Sequence, residues 1–270
     1  SRMAIKNHIN KFIIQSQELK RKFKSKDIRI IDCRWYLGES KRGVNEYQSC
    51  HIKEAIFFDI DKISNHSSDL PHMFPKNKMF SNFLKKNDID KKNQIIIYDQ
   101  EGFLSSARVW LTFKYFGFKN VKILDGGIKK WRLEKFPVTK LKTEREKNEN
   151  NFIAIKQKII INKKKLQELI RKKKKEFTII DARPKDRYHG LIPEPRSGLI
   201  RGNIKPSINI PYNSIQKKNG CLKDFKDLKK LIFNDKKISK DNDIICYCGS
   251  GVTACNIFFV LKILGFRNVK

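Results

Sequence analysis

The segment Tyr247-Cys248-Gly249-Ser250-Gly251-Val252-Thr253-Ala254 follows the apolar run Ile244-Ile245-Cys246 and precedes an apolar stretch from Ile257 to Leu264. This order predicts a buried strand that ends on a cysteine, then a loop of small residues, then the start of a helix. A thiol placed there is ringed by backbone N–H groups at a helix N-terminus. That setting favours thiolate over thiol and lowers the pKa from about 8.5 for a free cysteine. Gly249 and Gly251 let the backbone wrap closely around the sulfur. Such a thiol is a nucleophile that needs no adjacent base. Cysteines also serve as plain packing residues, and the chain holds Cys33, Cys50, Cys221, Cys246 and Cys255 besides. Cys246, two residues earlier on the same strand, shares a face with Cys248 and is expected to pack.

Two chemistries suit a thiolate in such a loop. Cysteine phosphatases close theirs with an arginine at C-x5-R spacing, and here that position is Ala254. With no cation in the loop, phosphoryl transfer is poorly supported. Sulfur transfer asks for less, since the N–H groups only have to stabilise a persulfide on the cysteine.

The elements that must position this loop occur twice. Ile30-Ile31-Asp32-Cys33-Arg34 is matched by Ile179-Ile180-Asp181-Ala182-Arg183. Ile95-Ile96-Ile97-Tyr98-Asp99 is matched by Ile244-Ile245-Cys246-Tyr247-Cys248, and Gly117-Phe118-Lys119-Asn120-Val121-Lys122 by Gly265-Phe266-Arg267-Asn268-Val269-Lys270. Partners stand roughly 150 residues apart throughout, the period of a duplicated domain rather than a solenoid unit. Short Ile-rich strands alternate with helical stretches in each half, which argues for parallel sheets covered by helices. Loops at the carboxyl ends of such strands bind ligands, and both Asp99 and Cys248 fall there. Only the second half carries the thiol, so residues 1–138 are expected to form a non-catalytic domain, 139–151 a polar linker, and 152–270 the catalytic domain. The first half continues through Ile123 to Trp131 beyond the point where the second stops, so the second domain is expected to be truncated at its C-terminus.

The cysteines have no regular spacing and no signal-peptide core precedes them, which points to a reducing, cytoplasmic setting rather than a disulfide framework. No apolar run approaches the roughly 20 residues of a membrane helix. The net charge of +32 is spread through the whole length among Ile, Asn and Phe. The dense runs Lys163-Lys164-Lys165 and Lys172 to Lys175 flank an apolar stripe of Leu166, Leu169 and Ile170, as a solvated helix face does. No specific nucleic-acid partner is expected; steering of an anionic substrate is the modest consequence.

With Asp125-Gly126-Gly127 and Trp131 closing the first half, and the loop CGSGVTA in the second, the chain resembles the two-domain rhodanese superfamily from about Leu19 to Lys270. The resemblance implies an α/β fold of two tandem rhodanese-like domains, each a parallel sheet flanked by helices. Within that superfamily it is similar to 3-mercaptopyruvate sulfurtransferases, whose loop is uncharged where thiosulfate-using relatives carry a CRKGVT-type loop. The segment Arg187-Tyr188-His189-Gly190-Leu191-Ile192-Pro193-Glu194-Pro195-Arg196 matches the family's carboxylate-binding stretch, which implies that Arg187 and Arg196 bind the substrate's carboxylate and ketone. Read on their own, both arginines are better explained by pairing with nearby acids such as Glu194. In the first half, Phe57 to Asp61 and Ser67 to Pro75 match a family segment that implies active-site roles for Asp61 and His72, with Ser250 linking His72 towards Cys248. His66 and His189 are read as surface residues. The chain departs from the family at Gly202-Asn203-Ile204 and Lys205-Pro206, a turn that bears on stability more than catalysis.

The resemblance thus implies an enzyme that takes sulfur from 3-mercaptopyruvate onto Cys248, with the persulfide held by the loop from Gly249 through Gly251 and Val252 to Thr253. A thiol such as reduced thioredoxin, or cyanide in vitro, is the expected acceptor, and no metal or organic cofactor is called for. The same fold acting on thiosulfate is the alternative, and a non-catalytic sulfur-carrying or nucleic-acid-binding protein a more distant one.

Overall fold

The computed structural model describes residues 1–67, 72–149, 152, 154–172, 177–195 and 200–270. They form two compact units, Ser1–Lys156 with Gln216–Leu222, and Gln157–Ile215 with Lys223–Lys270.

The first unit opens with α1 (Arg2–Ile9), β1 (Ile13–Ile14), α2 (Ser16–Lys22), β2 (Ile28–Asp32), α3 (Arg42–Ser49), β3 (His51–Ile52) and β4 (Ala55–Phe57). It continues through α4 (Asn77–Lys86), β5 (Gln94–Tyr98), α5 (Ser106–Tyr115), β6 (Val121–Leu124), α6 (Gly127–Leu133) and β7 (Val138–Thr139). Five strands make a parallel sheet in the order β1-β6-β5-β2-β4. Such a sheet is covered on both faces, so its strands read largely as apolar runs, interrupted by Arg29 in β2 and Lys122 in β6. The period of two still sorts their side chains. Ile28, Ile30, Ile96 and Tyr98 join Leu19, Tyr47, Ile128 and Trp131 in one cluster, and that cluster leaves out Ile31, Ile95 and Ile97. A second packing centre is aromatic: Phe80 of α4 stacks on Phe116 at 4.4 Å and meets Phe113 of α5 edge-on at 5.1 Å.

The polar run after β7 stays with this unit. Thr139 pairs with His51, the Asn148 N–H donates to the Lys85 carbonyl at 2.9 Å, and Phe152 stacks on Phe118. A hairpin from far along the chain belongs here too. Gln216 and Leu222 bridge antiparallel, the Leu222 N–H donates to Asp125 Oδ1 at 2.8 Å, and Gly220 adopts φ +84° against the loop that follows β5. A Cβ at Gly220 would fall 1.8 Å from the Glu101 carbonyl oxygen, so only glycine fits.

The second unit contains α7 (Lys163–Arg171), β8 (Phe177–Asp181), α8 (Lys185–Tyr188), β9 (Ile208–Asn209), a 3-10 turn Tyr212–Ile215, α9 (Phe225–Lys229), a π-helical turn Lys230–Asp235, β10 (Asp243–Tyr247) and α10 (Ala254–Ile263). Its parallel sheet runs β10-β8-β9. Along β10, Val269 bridges Ile244 in parallel, as Val121 lies against Ile95 in the first unit. Helix α10 is apolar apart from Asn256 and Lys262, and all of its residues but Lys262 are buried. Lys163, Lys164 and Lys165 of α7 are exposed, as a solvated face requires. No helix among the described residues is long and apolar enough to cross a membrane.

Candidate active site

Strand β10 lies in register on β8, with Tyr247 opposite Asp181, and delivers Cys248 to the carboxyl edge of the sheet. The chain then turns through Gly251 at φ +70° and enters α10 at Ala254. In this turn the Gly251 and Ala254 N–H groups donate to Cys248 Sγ at 3.1 and 3.2 Å. Ser250 Oγ lies 3.7 Å from the sulfur and accepts the Val252 N–H at 3.2 Å. Val252 is buried beneath the loop, and Thr253 occupies the N-cap of α10. Two N–H dipoles aimed at one half-buried sulfur stabilise negative charge there. Cys246 differs: burial, then the nearby Cys255 and Cys248 thiols, push its thiol well up.

The first unit shows what the same turn does with a carboxylate. Asp99 follows β5 as Cys248 follows β10. Its Oδ1 accepts the Gly102 N–H at 2.6 Å and the Glu101 N–H at 3.2 Å. Its Oδ2 accepts from Leu104, Ser105 and Ser106 at 2.7, 2.9 and 3.0 Å. Gly102 and Ser105 are the repeat partners of Gly251 and Ala254, so both halves aim the same backbone donors at the residue ending the strand. In the first the donors meet a carboxylate, and in the second a thiol.

Beside the Cys248 loop stands a chain of charges. Asp181 is fully buried at the end of β8 and takes the Arg183 Nη2 at 2.7 Å and the Tyr247 hydroxyl. Burial, then the Asp181 contact, pushes the Tyr247 phenol up to about 12. Arg183 Nη1 donates to Glu194 Oε1 at 2.9 Å, and Glu194 Oε2 accepts from Arg187 Nη2 at 2.6 Å. Burial works to raise the Glu194 carboxyl, but Arg187 and Arg183 outweigh it and hold it below the usual glutamate value. The guanidinium of Arg187 rests against Gly249, where a Cβ would meet its Nη2 at 2.5 Å. Arg187, Gly249, Ser250, Gly251, Val252 and Thr253 therefore gather around Cys248, whereas Arg196 lies outside the described residues. Pairing of Arg187 with Glu194 and a place for Arg187 beside the loop hold together. Nothing in the sequence marks a role for Arg183, and Glu194 reads there only as an acid for an arginine to pair with. Their one signal was the Asp-x-Arg pattern repeated at the end of β2 and β8.

Within the first unit, His72 Nε2 lies 2.8 Å from Asp61 Oδ1, which also accepts the Trp35 indole N–H at 3.1 Å. Trp35 meets the His72 ring edge-on at 5.3 Å. Burial raises the Asp61 carboxyl, but the His72 and Trp35 contacts prevail and bring it below its ordinary value. His66 and His189 are exposed. Among the described residues no group of His, Cys, Asp or Glu is arranged to hold a metal ion.

Comparison with known proteins places this geometry. The rhodanese-like domain model matches residues 15–134 and again 162–270. A mouse 3-mercaptopyruvate sulfurtransferase is 33% identical over 257 residues, covering 94% of this chain and 85% of the relative. An Escherichia coli 3-mercaptopyruvate sulfurtransferase is 34% identical over 246 residues, covering 90% and 86%. An Arabidopsis thaliana thiosulfate/3-mercaptopyruvate sulfurtransferase, named as mitochondrial, is 34% identical over 262 residues, covering 90% and 69%. Among solved structures, SseA, a 3-mercaptopyruvate sulfotransferase from Escherichia coli, superposes with a TM-score of 0.85 at 31% identity and covers 96% of each chain. The sub-stoichiometric sulfur transferase subunit of yeast mitochondrial complex I gives 0.84 at 29% identity, covering 94% and 90%. A duplicated parallel α/β domain, with a cysteine under backbone donors in its second copy, belongs with these enzymes: the chain is a member of the 3-mercaptopyruvate sulfurtransferases of the rhodanese superfamily.

Proposed function

We propose that the protein moves sulfur from 3-mercaptopyruvate to a thiol acceptor through a persulfide on Cys248. The observation that carries this reading is Cys248 Sγ beneath the Gly251 and Ala254 N–H groups, with the Arg187 guanidinium against the adjoining Gly249. The donor's carboxylate pairs with Arg187, a planar fork suited to it, and with Arg196. The Cys248 thiolate attacks the donor sulfur; a sulfur–sulfur bond forms, the carbon–sulfur bond breaks, and the electron pair leaves on the enolate of pyruvate. The outer sulfur keeps its proton, and the loop donors hold the persulfide. The enolate then takes up a proton, a role the resemblance gives to His72 with Asp61 and Ser250. A small thiol or reduced thioredoxin attacks the outer sulfur and restores the Cys248 thiolate. The reaction needs Cys248 reduced, and a reducing compartment such as the cytoplasm would keep it so.

Thiosulfate is the second donor to weigh, because the plant relative's name joins it to mercaptopyruvate. The loop's lack of a cation favours the singly charged donor. Intact mass measured after incubation with each donor, before any thiol is added, separates the two. The expected result is one added sulfur from 3-mercaptopyruvate, little from thiosulfate, and none in Cys248→Ser. Loading mainly from thiosulfate overturns the donor, and loading of Cys248→Ser overturns the nucleophile.

A further inference from the structure

Arg187 offers Glu194 one side of its guanidinium. Its Nε lies 3.3 and 3.2 Å from Glu194 Oε1 and Oε2, and its Nη2 lies 2.6 Å from Oε2. A guanidinium carries five N–H groups in a rigid plane, and this side-on pairing occupies the Nε edge. Among the described residues Nη1 makes no hydrogen bond, so its edge of the fork lies outside the pairing with Glu194. Glu194 is itself fixed: its side chain is 3% exposed, and Oε1 also accepts Arg183 Nη1 at 2.9 Å. Arg183 is clamped in turn by buried Asp181 and by the Gly202 carbonyl at 2.6 Å. The line Asp181–Arg183–Glu194–Arg187 thus ends against Gly249, the residue after the nucleophile, where Glu194 Oε2 also stands 3.6 Å from the position of a Cβ.

We propose that Glu194, anchored by Arg183, is a positioning residue that sets carboxylate selectivity at Cys248, by holding Arg187 side-on so that its Nη1 edge faces the donor's carboxylate. The proposal rests on the carboxylate-binding role given to Arg187 above. A free arginine side chain spreads over many rotamers, and fixing it in advance removes that entropy from the binding step. Two opposite effects are therefore built into Glu194. As a charge it opposes an incoming anion; as a clamp it orients the group that receives one. The clamp prevails over the charge, and the effect of removing Glu194 therefore has a definite sign.

The test compares alkylation of Cys248 by iodoacetate and by iodoacetamide, reagents of similar size of which only the first carries a carboxylate. In both the thiolate displaces iodide and a carbon–sulfur bond forms, with no sulfur transfer involved. The ratio of the two rates cancels the intrinsic reactivity of the thiolate and reports carboxylate recognition. Glu194→Ala is expected to lower the iodoacetate-to-iodoacetamide ratio roughly tenfold. Glu194→Gln, which keeps one acceptor oxygen, and Arg183→Lys, which loses the fork, should each lower it less. Removal of a negative charge alone would raise the ratio, so an unchanged or raised ratio in Glu194→Ala overturns the proposal. Retained iodoacetamide reactivity and an unaltered melting curve in Glu194→Gln keep a folding defect from imitating the effect. Arg187→Ala separates the two levels. If it leaves the ratio untouched, the role of Arg187 fails; if it lowers the ratio while Glu194→Ala does not, only the positioning role fails.

Discussion

Gly249 has an ordinary backbone conformation, so what glycine supplies there is room. A methyl group on its Cα would stand 2.5 Å from Arg187 Nη2 and 3.6 Å from Glu194 Oε2. Gly249→Ala should therefore fold and keep its thiol chemistry while pushing the guanidinium off its seat. We expect KM for 3-mercaptopyruvate to rise roughly tenfold with kcat less affected, because displacement by an ångström of a positioning group is costly. Steady-state kinetics beside a thermal melt check this, and an unchanged KM would remove the contact from any account of donor binding. Cys248 itself was legible in the sequence, because a strand, a cysteine, small residues and an apolar helix in that order leave the sulfur few other places. Glu194 and Arg183 were not. A carboxylate that orients an arginine looks, in one dimension, like any acid near any base.

The repeated loops after β5 and β10 are one device with two occupants, and the more thoroughly bonded is the carboxylate. Asp99 gathers five backbone N–H groups on its two carboxylate oxygens in a fully buried position. Asp99→Asn would turn an amide N–H2 towards donors that need an acceptor. It should cost about 2–3 kcal/mol of stability, read from denaturant unfolding with Cys248 alkylation as a check on the other unit. A loss below half a kilocalorie would mean the loop holds its shape without the charge. These elements were legible because duplication displays each strand twice: the match of Tyr98-Asp99 to Tyr247-Cys248 fixed where the loops had to be. Duplication also hid something. Arg34 grips Asp32 at 2.8 Å as Arg183 grips Asp181 at 2.7 Å, so the pattern reads as structural in both halves, and the extra bond from Arg183 to Glu194 emerges only in three dimensions.

At the scale of the molecule, the repeat suggests two units cut end to end, and the structure divides them otherwise. The hairpin turn at Asn219-Gly220 has no place in the sequence reading, and nothing in its own composition says that it packs on a loop more than a hundred residues earlier. Gly220 meets the Glu101 carbonyl, and Gly102 meets the Gly220 carbonyl at 2.3 Å from its would-be Cβ. Gly220→Ala combines that collision with a left-handed φ and should destabilise the first unit by about 2–4 kcal/mol. Hydrogen exchange should show the loss at the amides around Asp99, and protection unchanged there would argue against the fit. The hairpin does bear on inheritance. Its socket, at Glu101, Gly102 and Asp125, is encoded in the first repeat and its tip in the second, so recombination that trades one repeat for a relative's must carry over a matched partner or leave the lineage with a socket that nothing fits.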